Sequence, residues 1–167
     1  MTLKLDNNKY GFVGRLSREF PSQVMLDITE VCNLACIHCA HPKFKGSEYY
    51  AKAMLDPELN KKMVKEVSKY GKNITKYIRY TSNGEPLVHP KSYEMINYAV
   101  DHSDTKVTLT TNGTLLNEKK MLRLLNSGLH MIDISIDAVK EETYSKIRVN
   151  GDLNKTRSNV LKLINLI

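Results

Sequence analysis

The chain has 167 residues, 41% hydrophobic and 26% charged, with 8 Gly and 5 Pro, which excludes a collagen-like, low-complexity or wholly disordered protein. Its 25 basic and 18 acidic residues leave a formal charge of +7. No apolar run nears the ~20 residues of a membrane span, and the opening MTLKLDNNKYGF lacks the apolar stretch of a secretory signal, so one cytoplasmic domain without a membrane partner is expected.

Residues 1–23, polar and holding Gly11, Gly14 and Pro21, read as an N-terminal arm on a domain formed by 24–167. VMLDIT (24–29) is a short apolar, β-branched run and predicts a strand. Asp56-Pro57 opens a helix, with Asp56 as cap and Pro57 in the first turn. Leu59, Met63, Val64, Val67 and Tyr70 form its apolar face, and Gly71 ends it. ITKYIRYTS (74–82) predicts a second strand and Pro90 to His102 a helix. KVTLTT (106–111) is a third strand, turned out by Asn112-Gly113. Asn117 caps a helix over 118–127, with Met121, Leu122, Leu124 and Leu125 inside. HMIDISI (130–136) is the fourth strand, and helices over about 140–148 and 153–166 follow.

Strand–helix alternation with short connections is the pattern of βαβ units on a parallel sheet. Periodicity does not choose between a partial barrel and a doubly wound sheet. In both, ligands are expected at the carboxyl ends of the strands.

The first strand runs straight into Cys32-Asn33-Leu34-Ala35-Cys36-Ile37-His38-Cys39, a C-x3-C-x2-C spacing that holds all 3 cysteines of the chain. Three clustered thiols suit a metal or iron–sulfur site better than a disulfide framework. They are one ligand short of the four that close a site. A 4Fe–4S cluster with one iron left open is one outcome. A Cys3His zinc site completed by His38 or His41 is another.

This loop, at this place in the chain, resembles the signature of the radical S-adenosylmethionine (radical SAM) enzymes. Three further segments carry the resemblance. Ser82-Asn83-Gly84-Glu85-Pro86 is similar to the family's Gly-Gly-Glu-Pro, with Asn83 in place of the first glycine. Thr110-Thr111-Asn112-Gly113 resembles its T-x-N-G turn, and Ser135-Ile136-Asp137 its S-[IL]-D segment. All four follow predicted strands, in the family's order.

The resemblance implies a partial TIM-like (β/α) barrel of parallel strands, with about four of the usual six βα units present. The chain is therefore expected to be truncated at its C-terminal side or completed by another chain. It also implies that Cys32, Cys36 and Cys39 bind a 4Fe–4S cluster whose fourth iron takes the amino and carboxylate groups of SAM. Glu85 and the backbone of Asn83 and Gly84 would hold the SAM ammonium, Ser135 and Arg148 its carboxylate, with Asn112 also at the site and His38 beside the adenine. An electron donor such as flavodoxin or ferredoxin would reduce the cluster. SAM would then be cleaved to methionine and a 5′-deoxyadenosyl radical, which abstracts hydrogen from a peptide, cofactor precursor or sugar. Asp137, Asn112 and Tyr80 stand near enough to serve in the substrate step.

Two other classes are open to the same residues. One is a non-catalytic Fe–S or zinc-binding module. The other is an RNA-modifying radical SAM enzyme, suggested by the charge. Lys61, Lys65, Lys69, Lys72 and Lys76 carry much of the basic excess at helical spacing. They lie away from the strand ends and read as a solvated stripe, which argues against nucleic acid.

Overall fold

The structure, a computed structural model, describes residues 17–81 and 83–167. The elements run β1 (Gln23–Leu26), α1 (His41–Lys45), α2 (Pro57–Tyr70), β2 (Tyr77–Tyr80), α3 (Ser92–His102), β3 (Lys106–Thr111), α4 (Glu118–Leu125), β4 (Met131–Ile134), α5 (Glu141–Ile147) and α6 (Leu153–Asn165). A single 3-10 turn, Pro86–Val88, lies between β2 and α3. The arm expected over 1–23 falls largely outside the described residues. Where it emerges it is packed down: Thr75 Oγ1 donates to Pro21 O at 2.8 Å, and Phe20 stacks on Tyr70.

The four strands form one parallel sheet in the order β1-β2-β3-β4. A doubly wound sheet reverses its strand order part-way; this one does not. Successive right-handed crossovers in one direction place every helix on the same face, which is the wall of a barrel. Four βα units of such a wall are present, as expected.

Register divides the two faces cleanly. Leu26, Tyr80, Leu109 and Ile132 pair across the sheet, as do Val24, Ile78 and Val107. These side chains meet Val64 and Val67 of α2, Met95, Ile96 and Ala99 of α3, and Met121 and Leu124 of α4 in the core. The opposite face carries Met25, Arg79, Thr108, Thr110 and Asp133, and Met25 there is exposed.

The helices start where their caps dictate. Asp56 accepts from Glu58 N at 2.6 Å, Asn117 from Lys120 N at 3.0 Å, and Asp152 from Lys155 N at 2.9 Å. Of the residues expected inside, Leu59, Tyr70 and Leu122 prove exposed. Each stands at the margin of its apolar stripe, where the sheet no longer covers it. The position next to Leu59 is used instead. Asn60 is fully buried, and its Oδ1 accepts from the Tyr80 hydroxyl at 2.8 Å, while that hydroxyl also lies 2.9 Å from Met95 O. Tyr80 therefore points into the helix layer and takes no part in the substrate step.

Three strands are shorter than the sequence suggests. After Leu26 the chain leaves β2 and pairs with residues 53–55 instead, through Leu55 N to Ile28 O (3.0 Å) and Glu30 N to Ala53 O (3.0 Å). This return path clamps the segment carrying the cysteines. The lysine stripe is solvated as read: Lys65, Lys69, Lys72 and Lys76 are exposed, and Lys61 pairs with Glu58 at 2.6 Å. Among the described residues, no helix is long and apolar enough to cross a membrane.

The Tyr80–Asn60–Met95 contact is a polar junction inside this core, and removing its hydroxyl leaves Asn60 Oδ1 buried without that donor. Tyr80→Phe should therefore lower stability by about 1–2 kcal/mol, read as an earlier midpoint in urea denaturation with an unchanged slope.

Candidate functional site

The carboxyl ends of the four strands converge on a cleft of about 150 Å³. The ten residues expected to hold the cluster and SAM all line it, Cys32, Cys36, His38, Cys39, Asn83, Gly84, Glu85, Asn112, Ser135 and Arg148, while Asp137, Tyr80 and His41 do not. Leu34, Thr81, Pro86, Thr110 and Thr111 complete the wall. Ser82, which belongs to the same segment, lies outside the described residues.

The cysteine loop is an irregular segment held by its backbone. Ala35 N and Ile37 N donate to Val149 O and Ile147 O, each at 2.9 Å, just past α5. Cys39 N closes a turn on Cys36 O at 3.1 Å. Cys32 is half-buried, Cys36 buried and Cys39 exposed, and all three are unpaired thiols. Burial pushes the Cys32 and Cys36 thiols up, and the neighbouring cysteines reinforce this, while the Arg148 charge opposes it at Cys36. Two backbone amides already face sulfur, Leu34 N toward Cys32 Sγ and His41 N toward Cys39 Sγ, both at 3.4 Å. At Cys32 the Leu34 amide favours the thiolate, against the larger effect of burial. Among the described residues, no three His, Cys, Asp or Glu side chains stand close enough to hold a single metal ion.

His41 Nε2 meets Glu30 O at 2.8 Å, and its ring packs edge-on against Tyr50. Among the described residues neither His41 nor His38 joins the thiols in a group able to hold a zinc ion, so the Cys3His zinc reading has no support in this geometry.

Opposite the loop sits Glu85, only 2% exposed. Its Oε1 accepts from the Thr111 hydroxyl (2.6 Å) and Leu87 N (3.1 Å), and its Oε2 from Asn112 N (2.7 Å). Burial pushes this carboxyl above the usual range; the three donors and the Arg148 charge pull the other way. A carboxylate offers about four acceptor positions, so one position on Oε2 remains for a cation in the cleft. Gly84 beside it could not be another residue. A Cβ there would lie 2.4 Å from Val31 O and 2.5 Å from Thr29 O, both backbone atoms. Asn83, where the family has glycine, is held by Asp27: its N and Nδ2 reach Asp27 Oδ2 at 3.3 and 3.4 Å.

On the fourth strand side, Ser135 N donates to Thr111 O at 3.0 Å, which sets Ser135 at the rim. Arg148 is buried, and its Nε lies 2.6 Å from Asp137 Oδ2. The same Asp137 oxygen is 3.7 Å from His38 Nε2. Asp137 is thus the orienting partner of Arg148. The Asn112 amide contacts Asn33 and Thr114. Asp27, Asn33, Thr111 and Thr114 were not singled out in the sequence. The signal for the last two was visible, since a threonine brackets each side of Asn112-Gly113.

A model of the radical SAM superfamily matches residues 26–167. The chain belongs to the radical SAM superfamily. It is 35% identical over 150 residues to a probable GTP 3′,8-cyclase of Methanococcus maripaludis, spanning 90% of this chain and 47% of that one. It is 31% identical over 128 residues to an AdoMet-dependent heme synthase of Methanosarcina barkeri, spanning 77% and 34%. The chain therefore covers about half or less of the length of these curated relatives. Among solved structures, Streptococcus suis SuiB bound to S-adenosylmethionine superposes with a TM-score of 0.73 at 13% identity, over 89% of this chain and 32% of that one. BtrN in complex with AdoMet and 2-DOIA gives 0.62 at 18% identity, over 83% and 55%. The fold is thus the partial barrel of this superfamily, whose cofactors are a 4Fe–4S cluster and SAM. The donor set fits them: three thiols, two of them with an amide aimed at sulfur, on one wall, and a buried carboxylate with one acceptor left open by the described residues on the other.

A raised carboxyl gives a testable pH signature. The folded chain binds the Glu85 proton more tightly than the unfolded one, so this contribution to stability is full below the ordinary carboxylate value, ~4.3, and is lost as pH rises through the raised one. The stability of wild type relative to Glu85→Gln should therefore fall across that window, measured by urea midpoints at a series of pH values. A flat difference would contradict the direction of the shift.

Proposed function

We propose that this chain binds a 4Fe–4S cluster through Cys32, Cys36 and Cys39, binds SAM in the adjoining cleft, and initiates radical chemistry on a substrate over the strand ends. The observation that carries this reading is the convergence of three thiols and one buried carboxylate on a single cleft at the carboxyl ends of the strands. Held by Cys32, Cys36 and Cys39, the cluster would supply the one electron needed for reductive cleavage of SAM to methionine and a 5′-deoxyadenosyl radical, the species that would take a hydrogen atom from the substrate.

The chain's own residues bind and orient. Glu85 and the carbonyls around Asn83 take the ammonium. Gly84 lets the backbone come close. Ser135 and Arg148 take the carboxylate, with Asp137 fixing the guanidinium for a bidentate approach. His38, half-exposed at the rim, lies by the adenine. The electron comes from a small carrier such as flavodoxin or ferredoxin, approaching the exposed Cys39 side.

The substrate reading is a cofactor precursor seated over the carboxyl ends of the strands, beside the cleft; the pocket of about 240 Å³ lined by Gln23, Tyr77, Lys106 and Met131 lies at the amino ends and is not its place. The curated relatives named for GTP make a nucleotide the first ligand to try.

Anaerobic reconstitution followed by dithionite and SAM should yield 5′-deoxyadenosine by chromatography, and Cys36→Ala should abolish it. An intact cluster that yields none would refute catalysis by this chain. For the substrate, equilibrium dialysis should retain GTP. No retention by wild type would sink the nucleotide reading.

A further inference from the structure

Asn33, Asn112 and Thr114 close a ring of hydrogen bonds at the edge of the cleft. Asn33 Nδ2 donates to Thr114 Oγ1 (2.7 Å), the Thr114 hydroxyl donates to Asn112 Oδ1 (2.7 Å), and Asn112 Nδ2 donates to Asn33 Oδ1 (2.9 Å). A hydroxyl can serve in either direction, so such a ring could run two ways. Here one bond decides. The Thr114 N–H can only donate, and it meets Asn112 Oδ1 at 3.0 Å. That fixes the Asn112 amide, and closure then fixes Asn33. Turning either amide over would set donor against donor. Bonds running head to tail in this way polarise one another and strengthen the whole.

The ring joins the cysteine loop to a buried turn. On the turn's side, Asn112 and Thr114 are buried, and Asn159 of α6 donates to Gly113 O at 2.9 Å. Gly113 itself is at φ +74°, with Ile134 3.0 Å from where a Cβ would stand, so glycine is needed there. On the loop's side, Asn33 is exposed and lies between Cys32 and Cys36. The backbone ties of the loop, Val31 O to Glu85 N before it and Ala35 and Ile37 after it, leave Asn33 between them, where its side chain adds the ring's tie. From Asn112 the path continues through its N–H to Glu85 Oε2 at 2.7 Å.

We propose that Asn33, Asn112 and Thr114 are positioning residues, whose ring sets the spacing between the cysteine loop and Glu85, and so between the cluster and the amino group of SAM. The expected role of the Asn112 side chain changes accordingly, from cofactor contact to tether. This inference rests on the function proposed above.

Two substitutions at one position separate positioning from packing. Thr114→Val keeps the shape and removes the hydroxyl, which breaks two of the three ring bonds. Thr114→Ser keeps the hydroxyl. Each variant is reconstituted anaerobically, and three readouts are taken: iron content, SAM affinity by equilibrium dialysis, and the change in the reduced cluster's electron paramagnetic resonance spectrum when SAM is added. Loss of an orienting contact behind metal ligands is typically felt as a change of ~10-fold or more. Thr114→Val should accordingly bind SAM about tenfold more weakly and lose part of the spectral change, and Thr114→Ser should restore both.

Wild-type affinity and an unaltered spectrum in Thr114→Val would overturn the proposal. So would equal loss in the valine and serine variants, or a fall in melting temperature with no change in the other readouts. A wild-type chain that takes up no cluster, or whose cluster ignores SAM, would instead overturn the proposed function, and this inference with it.

Discussion

A buried carboxylate cannot stand without donors, and Glu85 obtains all of its own from chain segments that would otherwise be independent. Its neighbours Thr111 and Asn112 end β3, Leu87 belongs to the turn that Glu85 opens, and its own N–H reaches Val31 at the start of the cysteine loop. An unmet acceptor of this kind costs several kcal/mol. The three loops are thereby obliged to meet at one point. Close packing follows from the same requirement: Gly84 must lie against the backbone of residues 29–31 for Glu85 to reach inward. The cleft is what is left between these segments once the carboxylate has been satisfied.

The sheet supplies the second constraint. Because the strands follow one another in order, α2, α3, α4 and α6 cover one face, and the core on that face is apolar. The other face is relieved of any need to pack. It can afford an arginine, an aspartate and a lysine within a few residues of one another, which a two-sided core would not tolerate. Chemistry and folding are thus divided between the two sides of the same four strands.

Most of this was legible in the sequence because the signals were local. Asp56-Pro57 and Asn117 begin helices through contacts within three residues, and the C-x3-C-x2-C loop and Gly84-Glu85 are contiguous. What failed to show depended on register or on distant partners. Tyr80 and Arg79 are adjacent and both polar-tipped, and only the strand's phase decides that Tyr80 enters the core while Arg79 faces the cleft side. Leu59 looks like core by type, yet Asn60 takes the buried place because Tyr80, twenty residues on, needs an acceptor. Arg148 could be foreseen near the site, but its pairing with Asp137 is a matter of three-dimensional reach. The short α1, with Pro42 in its first turn, had no apolar period to announce it.

The chain contains three Asn-Gly pairs, at 83–84, 112–113 and 150–151, and the ring makes them unequal. An asparagine before glycine ages chemically: the following amide nitrogen attacks the side-chain carbonyl, ammonia leaves, and aspartate or isoaspartate remains. Asn112 is shielded from this, since its amide is held at both ends and buried. Asn83 and Asn150 are exposed. Of these, Asn83 has the graver outcome, because the new carboxylate would face Asp27, its present partner. Slow storage damage in this protein would thus begin at the mouth of the cleft and spare the ring at its edge.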